Sequence, residues 1–216
     1  MVAGDKRRRV EDVKALTYQY LEFICETIKQ PRDNCLLALL YLSGRRINEI
    51  LHLQKQDFKI EDKRISFETF NEKDWHSTQS GEYTVKRYVV FKDFKKRKTP
   101  PFKGYKYYRR IRPHWRTDSE SGKCLTKYLL QRLGSLVEKD YVFKRLRGGG
   151  HIHYQMAYKI VRHYIPDAWP HLFRHERFTE ISKAYQDNPV GMHRYTFHKR
   201  FESTLKYIRD LEEERI

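Results

Sequence analysis

Phe197-His198-Lys199-Arg200-Phe201-Glu202-Ser203-Thr204-Leu205-Lys206-Tyr207 sets a histidine and a tyrosine nine residues apart near the end of the chain. Nine residues span between two and three helical turns, so a short bend lets both rings face one point. Alone, Tyr207 is one of sixteen tyrosines and reads as an amphipathic-helix residue packing on Leu205 or Leu211. Two earlier stretches change that reading. His171-Leu172-Phe173-Arg174 follows Pro170, and its three-residue spacing puts His171 and Arg174 on one face of a helix, with His175 beside them. Gly44-Arg45-Arg46-Ile47-Asn48-Glu49 follows an apolar run. Gly44 stops one helix, Arg46 projects from the start of the next, and Glu49, one turn on, is placed to brace it.

The 216 residues carry 45 Lys plus Arg against 28 acids, a formal net charge of +17. A surplus of this size favours a polyanionic partner, because each cation set on a phosphate releases a counterion. Charge alone leaves DNA, RNA and anionic lipid open. With 39% hydrophobic and 14% aromatic residues the chain is built to fold. Cys25, Cys35 and Cys124 are scattered and odd in number, which speaks against a zinc site or a disulfide framework and fits a reducing, intracellular setting. His151 and His153 lack accompanying acids or cysteines at ligand spacing, so no metal is expected. No apolar run approaches the roughly 20 residues of a membrane span.

Periodicity organises the rest. Residues 1–10 read as a basic arm, and 11–216 as one domain. Glu11–Lys29 is helical from its apolar spacing, a second helix runs from Pro31 to about Leu42, and a short third covers Ile47–Leu53. The middle reads as strands: Asp57–Ile60, Lys63–Phe70 and Tyr83–Phe91, with Asn71–Gly81 as the loop between the last two. Tyr105–Ile111 is a further extended segment. Lys123–Leu136, Ile152–Ile165 and His171–Ala184 are helices, and a closing helix follows Pro189 through about Glu214. The expected class is α+β: a mainly helical single domain with a small antiparallel three-stranded sheet.

A DNA phosphodiester is inert. Cleaving it without metal requires cations on the non-bridging oxygens, an in-line nucleophile and a proton for the leaving oxygen. Arginine suits the first task, since its planar fork grips phosphate bidentately and stays charged. The ordered set G-x-R-x-x-E, a lysine-bearing β-hairpin, H-x-x-R, then His and Tyr nine apart, resembles the catalytic domain of the tyrosine recombinases, the integrase family, over about Glu11–Ile216. The resemblance implies that Arg46 and Arg174 clamp the phosphate, that His171 takes a proton or donates a hydrogen bond, and that His198 touches a non-bridging oxygen. It implies that Tyr207 attacks to form a 3′-phosphotyrosine, so that religation needs neither metal nor ATP. A hairpin lysine would protonate the leaving 5′ oxygen: Lys73 from its place past the first strand, or Lys86 on the return strand.

Glu49 and His175 are supporting residues on this reading, and Arg45, Lys95, Lys98, Arg145 and Arg147 are candidate contacts to duplex DNA. The family further implies four protomers around two duplexes, with a monomer in solution, no membrane partner, and a cytoplasmic or nucleoid-associated location. Its N-terminal core-binding domain has no counterpart in the basic arm and two helices before Arg46. Two positions depart from the family pattern: Arg45 stands where an apolar residue is common, and Phe197 where a glycine usually precedes the histidine. Type IB topoisomerase chemistry and a catalytically idle DNA-binding module are the alternatives.

Overall fold

The computed structural model describes residues 16–77, 88–89, 106–147, 149–185, 188–205 and 207, with side chains for 16–69 and from 111 onward within those ranges. The elements are helices α1 (Tyr18–Thr27), α2 (Pro31–Ser43) and α3 (Ile47–Leu51), and strands β1 (Phe58–Glu61), β2 (Arg64–Phe67), β3 (Thr69–Ser77), β4 (Tyr88–Val89), β5 (Lys106–Ile111) and β6 (His114–Arg116). Helices α4 (Glu120–Gly134), α5 (Tyr154–Tyr164), α6 (Pro170–Ala184) and α7 (Pro189–Thr196) follow. Residues 202–205 and 207 are helical again.

Helix α2 is the central rod. Pro31 opens it at a position where no backbone N–H is needed. From Asp33 to Ser43 every residue is buried, because α1, α4 and α6 pack around it. An all-round apolar helix of this kind belongs in a core. The main core continues through Phe67, Trp115, Leu129, Phe143 and Phe173. A second, smaller cluster holds Phe178, Ile181 and Met192, against which Tyr185, Tyr195, Leu205 and Tyr207 pack.

The strands form two three-stranded antiparallel groups, ordered β1-β2-β6 and β3-β5-β4. Trp115 on β6 pairs opposite Ile65, and its indole Nε1 donates to Thr126 Oγ1 of α4 at 3.1 Å, which ties the first sheet to the helical core. Two strand expectations change. The single strand expected over Lys63–Phe70 is divided at Glu68 between β2 and β3. Residues 71–77, expected in a loop, extend β3, because β5 pairs with them from Trp75↔Tyr108 to Ser77↔Lys106. Strand β6 was not foreseen; its three residues are too few for a periodic signal. The closing helix is also interrupted, since α7 ends at Thr196 and Phe197 turns left-handed.

Gly44 ends α2 with φ +56° and donates its N–H to the Tyr41 carbonyl at 3.1 Å. A Cβ built there would lie 2.7 Å from Phe178 Cε1. Gly44→Ala therefore meets both a left-handed backbone and an overpacked ring, and is expected to cost about 3 kcal/mol. Urea denaturation checks this; a loss under about 0.5 kcal/mol would refute it.

Candidate active site

The turn at Gly44 delivers two arginines that differ in burial. Arg46 is the N-cap of α3, with extended backbone. The Glu49 carboxylate, 0% exposed, accepts from the Arg46 backbone N–H at 3.1 Å and from its Nη1 at 2.8 Å. Glu49 thus braces Arg46 as its spacing suggested. Arg45 turns inward and is only 1% exposed. Its Nε donates to the Ser43 carbonyl at 3.2 Å and its Nη2 to the Thr196 carbonyl at 2.9 Å. A guanidinium buried and bonded in this way is not a surface contact for DNA, so the expected place of Arg45 is corrected.

Helix α6 supplies the opposing wall. Pro170 at its first turn fixes the start, which sets His171 and Arg174 one turn apart. Arg174 is 2% exposed; its Nη1 donates to the Gly44 carbonyl at 2.7 Å, and its guanidinium lies 4.4 Å from the centroid of the Phe178 ring one turn further on. Its Nη2 is buried with no hydrogen-bond partner among the described residues. Arg45, Arg46, Asn48, Tyr154, His171 and Arg174 line one cavity of about 220 Å³. Burial, then Arg45 and Arg46 nearby, push Arg174 well below the usual arginine value, and Glu49 and then Tyr207 oppose them. Arginine starts so high that it stays charged. The cavity is therefore a cationic recess holding an unused donor, which suits an anion with several oxygens.

His198 and Tyr207 meet beside Phe178. Their rings stack at 15° with centroids 6.0 Å apart. Phe178 contacts His198 at 5.4 Å and Tyr207 at 5.5 Å, both edge-on, and His175 lies 5.5 Å from Tyr207. Phe178 thus touches the arginine, the histidine and the tyrosine at once. Thr204 is the other connecting residue. It is 0% exposed, and its Oγ1 shares hydrogen bonds with Nδ1 of His198 at 3.1 Å and Nδ1 of His193 at 2.9 Å. Neither Phe178 nor Thr204 was singled out from sequence. A helical i+4 spacing from Arg174 was the available signal for the first, and none existed for the second. Tyr154, which lines the cavity and stacks on Tyr158, was also missed.

Burial, followed by Arg174, Arg45, Arg46 and His193, pushes the His198 imidazole from 6.5 down to about 3. The folded protein thus holds it neutral. Between pH 6.5 and about 3 the unfolded chain takes up a proton that the folded one refuses. The stability that a neutral His198 supports is complete above pH 6.5 and is lost as pH falls through that window. Urea midpoints at pH 7.5 and 4.5 should differ more for the wild type than for His198→Gln; equal differences would refute this.

The remaining candidates are less central. Lys73 lies on β3, in the register shift between Phe70 and Trp75. That strand packs against α3, and Thr69 Oγ1 at its start donates to the Glu49 carbonyl. The Lys73 side chain, and Lys86, Lys95 and Lys98, lie outside the described residues. Arg145 is exposed, donates from Nε to the His151 carbonyl at 2.9 Å and pairs with the His153 ring; Arg147 is exposed. Among the described residues no group of three His, Cys, Asp or Glu is arranged to hold a metal, and no helix is long and apolar enough to cross a membrane.

No protein-family model matches the sequence, and no curated protein matches it. Solved structures do. The XerH site-specific recombinase bound to its difH substrate in a pre-cleavage complex is 16% identical, with a TM-score of 0.57 over 92% of this chain and 50% of that one. The Tn1549 transposon integrase in complex with circular intermediate DNA is 14% identical, with a TM-score of 0.56 over 95% of this chain and 62% of that one. The XerA recombinase is 14% identical, with a TM-score of 0.52 over 92% and 61%. The chain spans about half the length of the XerH protein it matches. At these identities the likeness is one of fold: the chain has the fold of the tyrosine recombinase catalytic domain.

Proposed function

We propose that the chain is a tyrosine recombinase, cutting and rejoining duplex DNA through a 3′-phosphotyrosine. One observation carries the reading: a buried arginine with an unused donor faces a cavity shared with Arg46 and His171, and the Phe178 ring beneath it holds Tyr207 against His198. Arg46 and Arg174 grip the non-bridging oxygens, and their charge stabilises the pentavalent state more than the ground state. The Tyr207 oxygen attacks phosphorus, its proton passing to His171, while the bond to the 5′ oxygen breaks. His198, held neutral, donates to a non-bridging oxygen. The leaving oxygen takes its proton from a hairpin lysine, Lys73 or Lys86. The phosphotyrosine keeps the energy of the broken bond, so reversal by a 5′ hydroxyl restores DNA without a cofactor.

Duplex DNA is the partner, with Arg145, Arg147, Lys95 and Lys98 on its backbone, four protomers assembled on two duplexes, and an intracellular setting. The net charge of +17 supports a polyanion, and the XerH and Tn1549 structures contain DNA.

The test is a nicked duplex that loses its 5′ fragment on cleavage and so traps the intermediate, with supercoiled plasmid in parallel. A protein–DNA adduct that survives SDS is expected. Tight DNA binding without an adduct on either substrate would identify an idle binding module, and relaxed circles at low protein, without a specific site, a topoisomerase.

A further inference from the structure

Arg45 and Phe197 lie far apart in the sequence, and the structure places them in one contact. The Arg45 guanidinium lies 5.2 Å from the centroid of the Phe197 ring and 5.6 Å from that of Phe178. Its Nη2 bonds the carbonyl of Thr196, the last residue of α7, across 151 positions of sequence. A helix leaves its final carbonyls without intrahelical partners, and here a side chain from the loop beside Arg46 supplies one. Phe197 adopts φ 55° and ψ 30°, a left-handed conformation that a side chain rarely takes and that glycine takes freely. Its N–H donates to the His193 carbonyl at 3.2 Å. Such a conformation persists when surrounding contacts over-determine it. Those contacts include the capped carbonyl of Thr196 and the cation over the Phe197 ring. The next residue is His198.

We propose that Arg45 is a positioning residue, a latch that holds the left-handed turn at Phe197 and so fixes His198 and the Tyr207 segment against the Arg46–Arg174 recess. The adjacent residues then divide the work: Arg46 faces the phosphate, and Arg45 sets the distance from that phosphate to the histidine. A rigid link is needed because misplacement by about 1 Å costs on the order of 100-fold in rate.

The proposal rests on the recombinase reading only for its effect on rate, so the closing experiment has two arms. In the first, native-state amide exchange is measured on DNA-free wild type, Arg45→Met and Arg45→Lys. Arg45→Met should raise exchange at the Phe197 amide at least tenfold relative to α4 amides, with Arg45→Lys between, since it keeps one donor. Unchanged exchange at Phe197 overturns the latch whether or not the protein cleaves DNA. In the second, single-turnover cleavage is compared with DNA affinity. Arg45→Met should slow cleavage on the order of 10- to 100-fold with the Kd within about threefold. A parallel loss of affinity would make Arg45 a DNA contact and overturn the proposal. If Arg45→Met fails to fold, Phe197→Gly decides. With Arg45 present it should leave cleavage unchanged or slower; in the Arg45→Lys background it should gain at least threefold over that single variant. The same effect in both backgrounds means the two residues are not coupled, and the latch is wrong. An absent adduct in wild type with the exchange result intact removes the recombinase reading alone.

Discussion

Tyr207→Phe is expected to bind DNA with wild-type affinity and to form no covalent adduct. The substitution removes one oxygen and keeps the ring. The ring is what packs: against His198 at 6.0 Å, Phe178 at 5.5 Å and His175 at 5.5 Å. None of these contacts needs the hydroxyl, so the closing segment should stay in place while the nucleophile is gone. The loss is total rather than graded, because no neighbouring group substitutes for a covalent nucleophile. Two results would refute the assignment. Adduct persisting in Tyr207→Phe and lost in a Tyr195 or Tyr185 variant would move the nucleophile. Loss of DNA affinity together with the adduct would give Tyr207 a structural role.

Arg174→Met is expected to lower single-turnover cleavage roughly 10³-fold, the upper range for deleting one preorganised donor to a developing oxyanion, while leaving thermal stability unchanged or higher. The two effects have one cause. Arg174 is 2% exposed, holds a buried donor without a partner among the described residues, and sits with Arg45 and Arg46, opposed by Glu49 and Tyr207. The folded protein carries that repulsion, and on the recombinase reading a phosphate relieves it. Met has similar length, packs on Phe178 and removes the charge, and replacing buried ions by apolar groups of like volume is often neutral or stabilising. The lost bond to the Gly44 carbonyl offsets part of the gain. Calorimetry and single-turnover cleavage check the pair. A fall in stability of more than about 2 kcal/mol would mean that Arg174 is primarily structural, since that exceeds the usual cost of one hydrogen bond.

Much of this site is local and was therefore legible. His171 and Arg174 share a helix face because three residues make most of a turn, and Glu49 reaches Arg46 for the same reason. The helical frame was legible too, since Pro31, Gly44, Pro170 and Pro189 punctuate it chemically. What sequence did not reveal depends on partners distant in the chain. Strand β3 continues through residues 71–77 because β5 pairs with it, although all of those residues but Trp75 are polar. Arg45 looked like a surface cation, and only the Thr196 carbonyl and two phenylalanines explain its burial. Thr204 joins two histidines six and eleven residues away through a turn that periodicity does not describe.

The contact between Arg45 and Phe197 bears on how such chains are detected. A comparison made one position at a time scores the arginine at 45 and the phenylalanine at 197 separately. In the folded chain the two are a single event, a cation and a ring 5.2 Å apart. On the latch proposal neither is well tolerated alone: the arginine would be a buried charge without its ring, and the phenylalanine a strained turn without its clamp. Recognition of distant members of this fold would gain from scoring residues 45 and 197 as a pair.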